Sequence, residues 1–175
     1  VMTSCKEFHR RSIDDRDGFW TEQAALVDWH KPFSSVLDYS RPPFAKWFVG
    51  GETNLCHNAV DRWAKLQPDQ PALIAISTET ADGAPVEKVW TYQQLLREVE
   101  RVAAIMLSLG VAKGDRVLIY MPMIAEATFA MLACARIGAI HSVVFGGFAA
   151  NSLATRIDDA QPKLIVSAYA GSNRK

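Results

Sequence analysis

Three short runs, RVLIY at 116–120, IHSVVF at 140–145 and KLIVS at 163–167, are almost wholly apolar, and the segments between them carry helical periodicity. A strand with one face in water alternates polar and apolar residues; a strand without alternation has to be covered on both faces. Helices delivered by right-handed crossovers are the usual cover, so the pattern predicts a parallel βαβαβ unit and an α/β fold. The intervening helices are expected over about 124–136, stopped by Gly138, and about 151–159. After the third strand comes AYAGSNRK, with no helix to cover it. The chain therefore reads as part of a larger α/β domain, and the uncovered sheet favours either further chain or self-association.

Upstream, local signals are strong. Ser4 with Glu7 and Thr91 with Gln94 have the capping-box spacing, in which each side chain satisfies a backbone N–H of the other residue. The first box opens one of two short helices, the second starting at Asp14 or Asp15. The other box opens a long helix whose buried face is expected to carry Tyr92, Leu95, Leu96, Val99, Val102, Ala103, Met106 and Leu107, with Gly110 as its stop. Asn54 is a candidate cap for a helix ending before Pro68. ALIAIS and VEKVWT read as a strand pair, joined through Asp82-Gly83 in a loop longer than two residues.

Between these, DWHKPFSSVLDYSRPPFAKWFVGG holds three prolines and many aromatics, which favours extended, wrapped chain over repeated secondary structure. The expected organisation is an N-terminal arm over 1–53, two helices and an aromatic extended segment, followed by an incomplete α/β part over 54–175.

Charge excludes some partners. Nineteen basic residues cancel nineteen acidic ones, so neither a nucleic-acid backbone nor an anionic membrane is expected as a main partner. The cysteines Cys5, Cys56 and Cys134 lack CxxC spacing, which argues for reduced thiols and a cytoplasmic setting. The histidines are scattered, and no metal site is expected. The polar N-terminus does not read as a signal peptide. The uncharged run 137–154 contains three glycines and several polar residues, so it reads as strand and loop rather than a membrane span.

FGGF at 145–148 lies where a parallel strand ends and a helix begins, a place where ligands bind. It is neither GxGxxG nor GxxxxGK[ST], and no acidic residue ends KLIVS to meet a ribose. Residue chemistry leaves two readings: glycines that admit a ligand close to the backbone, or a tight turn with Phe145 and Phe148 in the core. The second is the commoner use of such glycines. His141 reads as a core histidine, Met121, Pro122, Met123 and Ile124 as packing and helix initiation, and Glu126 as a partner of its helix dipole. Asp61, Arg62, Arg97, Glu98 and Arg101 read as solvated helix faces. No catalytic constellation can be assembled from these residues.

KWFVGGETNLCHNAVDRW, YMPMIAEATFAMLACARIGAIHSVVFGGF and the following Arg156-Ile157-Asp158-Asp159 closely resemble the N-terminal part of AMP-forming short-chain acyl-CoA synthetases. FHRRSIDDRDGFW, RPPFAKWF and CHNAVDRW look more like propionyl-CoA than acetyl-CoA synthetases. The resemblance implies a ligase that joins a short carboxylate to CoA through an acyl-adenylate, using ATP and Mg. It also implies that Phe145 lies against the CoA adenine and that Gly147 borders the pantetheine path. The family places an arginine for the CoA phosphate in a pattern like ADxGxR; here AYAGSNRK puts Tyr169 at the acidic position, Asn173 at the arginine and Arg174 one residue late. Either the loop shifts so that Arg174 serves, or that contact is lost. The family's adenylation motifs do not occur in these 175 residues, so the chain alone is expected to be inactive. The alternatives are a nucleotide-binding or regulatory module on the same unit, or a structural remnant.

Overall fold

A computed structural model describes residues 4–81, 84–147 and 149–169, without the side chains of 78–81. The chain divides into two compact units, 1–54 and 55–175.

In the first unit, helix α1 (Cys5–Asp14) starts at the expected capping box, with Ser4 and Glu7 exchanging hydrogen bonds, and α2 (Arg16–Ala24) follows after Asp15. The aromatic segment is extended, but it is also regular, where no repeated structure was expected. Strand β1 (Ser35–Arg41) pairs antiparallel with β2 (Phe44–Val49), Leu37 facing Trp47 and Arg41 facing Phe44. Pro42 and Pro43 are the two turn residues, where the ladder needs no N–H, so prolines that look like strand breakers instead punctuate a hairpin. The aromatics pack on one another: Trp29, Phe33 and Phe48 have ring centroids 5.1–5.4 Å apart, and Trp20 meets Trp47 edge-on at 5.7 Å. Gly51 is part of that packing, since a Cβ there would lie 2.7 Å from the Trp29 ring.

The second unit begins with a π-helical turn (His57–Asp61) running into α3 (Arg62–Leu66), where a plain α-helix was expected. Strands β3 (Pro71–Ala81) and β4 (Ala84–Thr91) form an antiparallel ladder that reaches Ala81 opposite Ala84. The strands thus run further than the apolar runs indicated, and only 82–83, outside the described residues, separate them. Helix α4 (Tyr92–Ser108) opens on the Thr91–Gln94 capping box and buries Leu95, Val99, Ala103 and Met106, while Leu107 turns outward. Gly110 has the left-handed φ of +82° that favours glycine.

The βαβαβ unit then appears as expected: β5 (Arg116–Met121), α5 (Ala125–Ile137), β6 (Ile140–Phe145), α6 (Ala150–Ala160) and β7 (Leu164–Ser167). The three strands are parallel in the order β6-β5-β7. Side chains alternate along β5, so Val117, Ile119 and Met121 join the core built with α4 and α5, while Leu118 is fully buried on the opposite face.

Burial on both faces holds for β5 alone. On β6, His141, Ser142, Val143 and Phe145 are exposed and only Val144 is buried; on β7, Ile165 is exposed. Chain order does not reveal which strand is central, and β6 and β7 are the edges among the described strands. His141 is thus on an exposed strand face rather than in the core.

Candidate functional site

The carboxyl ends of β5 and β6 lie side by side, Met121 paired with Phe145. At this corner the chain turns through Gly146 and Gly147 toward α6, and through Pro122 and Met123 toward α5. Two glycines sit here for different reasons. A Cβ on Gly146 would lie 2.9 Å from both the carbonyl carbon and oxygen of Met121 and 3.1 Å from the nitrogen of Pro122. Those are backbone atoms and cannot rotate away, so Gly146 is what allows the two strand-end turns to touch. A Cβ on Gly147 would instead meet the Phe145 ring, 2.6 Å from its Cε1.

Phe145 is 62% exposed, which overturns its assignment to the core. Phe148 lies outside the described residues, as does Arg174. Tyr169, which stands at the family pattern's acidic position, is fully exposed just beyond β7. The structure brings together Phe145 and Gly147 and adds Gly146, whose steric role the string FGGF does not distinguish from that of its neighbour. Met123 is 92% exposed and so is not core packing, whereas Met121 is packed against the core. Glu126 occupies the first turn of α5, the favourable end of the helix dipole for a carboxylate. Phe145, Gly146, Gly147, Met121, Pro122 and Met123 carry no ionisable group. An aromatic face and a side-chain-free stretch of backbone suit the holding of a ligand rather than bond-making.

The second constellation was hidden in sequence. Arg136, in the last turn of α5, donates to Asp61 Oδ1 at 2.6 Å and to Glu100 Oε1 at 3.1 Å, and its Nη1 is 3.9 Å from Cys56 Sγ. The Cys56 thiol also approaches Asp61 Oδ2, at 3.6 Å. Cys56 and Asp61 are five residues apart, a spacing that an α-helix would send to different faces; the wider π turn aligns them toward one arginine. Asp61 is therefore a partly buried anchor rather than a solvated surface charge, and Arg62 stacks over Trp63 at 5.0 Å. Burial lowers the Arg136 pKa, but hydrogen bonds to Asp61 and Cys56 outweigh it and raise the pKa.

Burial pushes the Cys56 and Cys134 thiols up to about 11, from an ordinary 9.0; at Cys56 the Arg136 hydrogen bond opposes the rise only in part. Both groups are protonated in the folded chain where the unfolded chain ionises. Their stabilising contribution is complete below pH 9 and is expected to fall away as the pH rises toward 11. Urea midpoints measured from pH 8 to 11 should decline, and a thiol reagent at pH 8 should label exposed Cys5 rapidly and the other two only on unfolding. Midpoints independent of pH across that range would rule this out.

Among the described residues, no group of three His, Cys, Asp or Glu is placed to hold a metal ion, and no helix is long and apolar enough to cross a membrane.

Comparison with known proteins places this geometry in context. The family model described as AMP-binding enzyme matches residues 60–175, and that described as acetyl-coenzyme A synthetase N-terminus matches residues 5–59. The chain is 63% identical over 169 residues to the propionate–CoA ligase of Salmonella typhimurium, covering 97% of this chain and 26% of that protein. It is 48% identical over 168 residues to the acetyl-coenzyme A synthetase of Streptomyces coelicolor, covering 96% and 25%. The solved acetoacetyl-CoA synthetase from Streptomyces lividans superposes with a TM-score of 0.83 at 32% identity, covering 95% of this chain and 25% of that one. The chain thus spans about a quarter of the length of the relatives it matches. With a family match over residues 60–175, more than half of the chain, and the parallel unit in place, this chain belongs to the family of AMP-binding enzymes.

Proposed function

We propose that this chain is the N-terminal portion of a short-chain acyl-CoA ligase, with propionate favoured over acetate, and that its own contribution to the reaction is to receive CoA. The observation that carries the reading is the exposed Phe145 ring beside side-chain-free Gly147, at the carboxyl end of a parallel strand in an AMP-binding enzyme. The higher identity to the propionate–CoA ligase supports the choice of acid. In the complete reaction, the carboxylate attacks the α-phosphate of ATP and expels pyrophosphate; the CoA thiol then attacks the acyl carbonyl and AMP leaves.

Phe145 offers a flat apolar face to the adenine, and Gly147 offers a wall along which a thin pantetheine arm can lie. Arg174 is the candidate for the CoA phosphate. ATP and Mg²⁺ are assigned to residues outside 1–175, because the family's adenylation motifs do not occur in this stretch. We place the junction between an N-terminal arm and the AMP-binding part near residues 53–54, and the protein in the cytoplasm, consistent with its cysteine pattern.

Calorimetric titration of the 175-residue chain tests the reading. CoA should bind, while ATP and NAD should not, and no propionyl-AMP should form from propionate and ATP. Binding of ATP or NAD without CoA would favour a nucleotide-binding or regulatory module instead. Formation of propionyl-AMP would refute the inactivity of this portion.

A further inference from the structure

The described methionines fall into two groups. Met106 is 1% exposed, and Met121 and Met131 pack against the core of the 55–175 unit, whereas Met123 is 92% exposed. The cause is local. The Ile124 N–H donates to the Pro122 carbonyl at 2.8 Å and closes a three-residue turn with Met123 at its apex, between the end of β5 and the start of α5. The turn holds the side chain clear of both elements, with its thioether in water.

That turn is also the one on which the glycine corner rests. Gly146 is seated against the carbonyl of Met121 and the nitrogen of Pro122, so Met123 is one residue from the peptide that Gly146 touches. The corner carries no ionisable group. A strongly polar atom added at Met123 would therefore change its character.

We propose that Met123 is an oxidation site that controls ligand binding at the carboxyl ends of β5 and β6. The oxidant is a peroxide. The thioether sulfur attacks one peroxide oxygen, and the O–O bond breaks as the S–O bond forms. Sulfur gives up two electrons, and the hydrogen of the transferred oxygen passes to the leaving hydroxide, which departs as water. A flexible apolar side chain thus becomes a sulfoxide, a change that methionine sulfoxide reductases reverse. Its acceptor oxygen holds water, and a ligand seated against the corner must strip that water or forgo the contact. The oxidation rests on exposure alone; the control of binding rests on the CoA reading above.

The test treats the 175-residue chain briefly with hydrogen peroxide, removes the reagent, and adds dithiothreitol. The thiol reverses sulfenic acid and disulfide formation at exposed Cys5 and leaves sulfoxides in place. Fragment-ion mass spectrometry then locates the added oxygen; Met2 lies outside the described residues and is read in a separate tryptic fragment. Met123 should be oxidised before Met106, Met121 and Met131, at the rate of a methionine in a short peptide. Calorimetry should record CoA binding weakened by roughly three- to tenfold, and sulfoxide reductases should restore it. Peroxide should leave the CoA affinity of Met123→Leu where it stood before treatment of that variant.

Oxidation of Met121 or Met131 as fast as Met123 would overturn the site. An unchanged CoA affinity in chain oxidised at Met123 would overturn the control and leave the CoA reading intact, as would an equal loss in peroxide-treated Met123→Leu. If the untreated chain binds no CoA, the CoA reading fails and the control fails with it, whatever the mass spectra show.

Discussion

Replacing Arg136 with alanine is expected to destabilise the 55–175 unit by about 2–3 kcal/mol, because it strands the partly buried Asp61 carboxylate. The Arg136 and Asp61 side chains are only 28% and 25% exposed, so solvent screens their 2.6 Å pair less than it would a surface pair. Glu100, half-exposed, contributes little. The loss reaches beyond one contact, since Arg136 is the partner that Cys56 and Asp61 share across the π turn.

Urea denaturation of Arg136→Ala, Asp61→Ala and the double variant checks this. The double variant should lose clearly less than the sum of the single losses, because the second substitution removes the charge stranded by the first. A single-variant loss below about 0.5 kcal/mol, the range of ordinary surface substitutions, would show the network to be ornamental to stability.

Gly146→Val is expected to be the more damaging change for ligand binding. Its Cβ would fall 2.9 Å from the Met121 carbonyl, a contact only backbone movement can relieve. Forced overpacking of this kind costs about 1–3 kcal/mol, and here the strain parts the two strand-end turns that position Phe145 and Gly147. CoA affinity should drop by an order of magnitude or more, since roughly 1.4 kcal/mol of misplacement is tenfold.

Gly147→Ala is the contrast. The three atoms nearest its Cβ all belong to the Phe145 side chain rather than to backbone, so stability should fall less than in Gly146→Val. Urea midpoints and CoA titrations on both variants separate the two roles. Equal stability losses would mean that Gly146 has no special steric place at the end of β5.

The fold was largely legible because its signals are local. Capping boxes at Ser4–Glu7 and Thr91–Gln94 depend on residues three apart, and both form as the spacing predicts. Apolar runs bounded by glycine placed β5, β6, β7 and the helices between them within a few residues. The β1–β2 hairpin was not legible, because prolines carry one meaning inside a ladder and another at its turn. Only strand pairing decides which applies.

The site was half legible. Residue types could nominate Phe145 and Gly147, and resemblance could suggest what they hold. Composition could not tell a core phenylalanine from an exposed one, because burial depends on strand order: β5 came to lie between β6 and β7, leaving Phe145 on an edge. Nor could it separate two adjacent glycines, one pressed against backbone from β5 and the other under its neighbour's ring. The same holds for Arg136, 75 residues from Asp61 along the chain and 2.6 Å from it in space. Periodicity and capping are properties of neighbouring residues and survive in the string of letters. Centrality, close backbone approach and ion pairing across elements arise when distant segments meet, and packing alone assigns them.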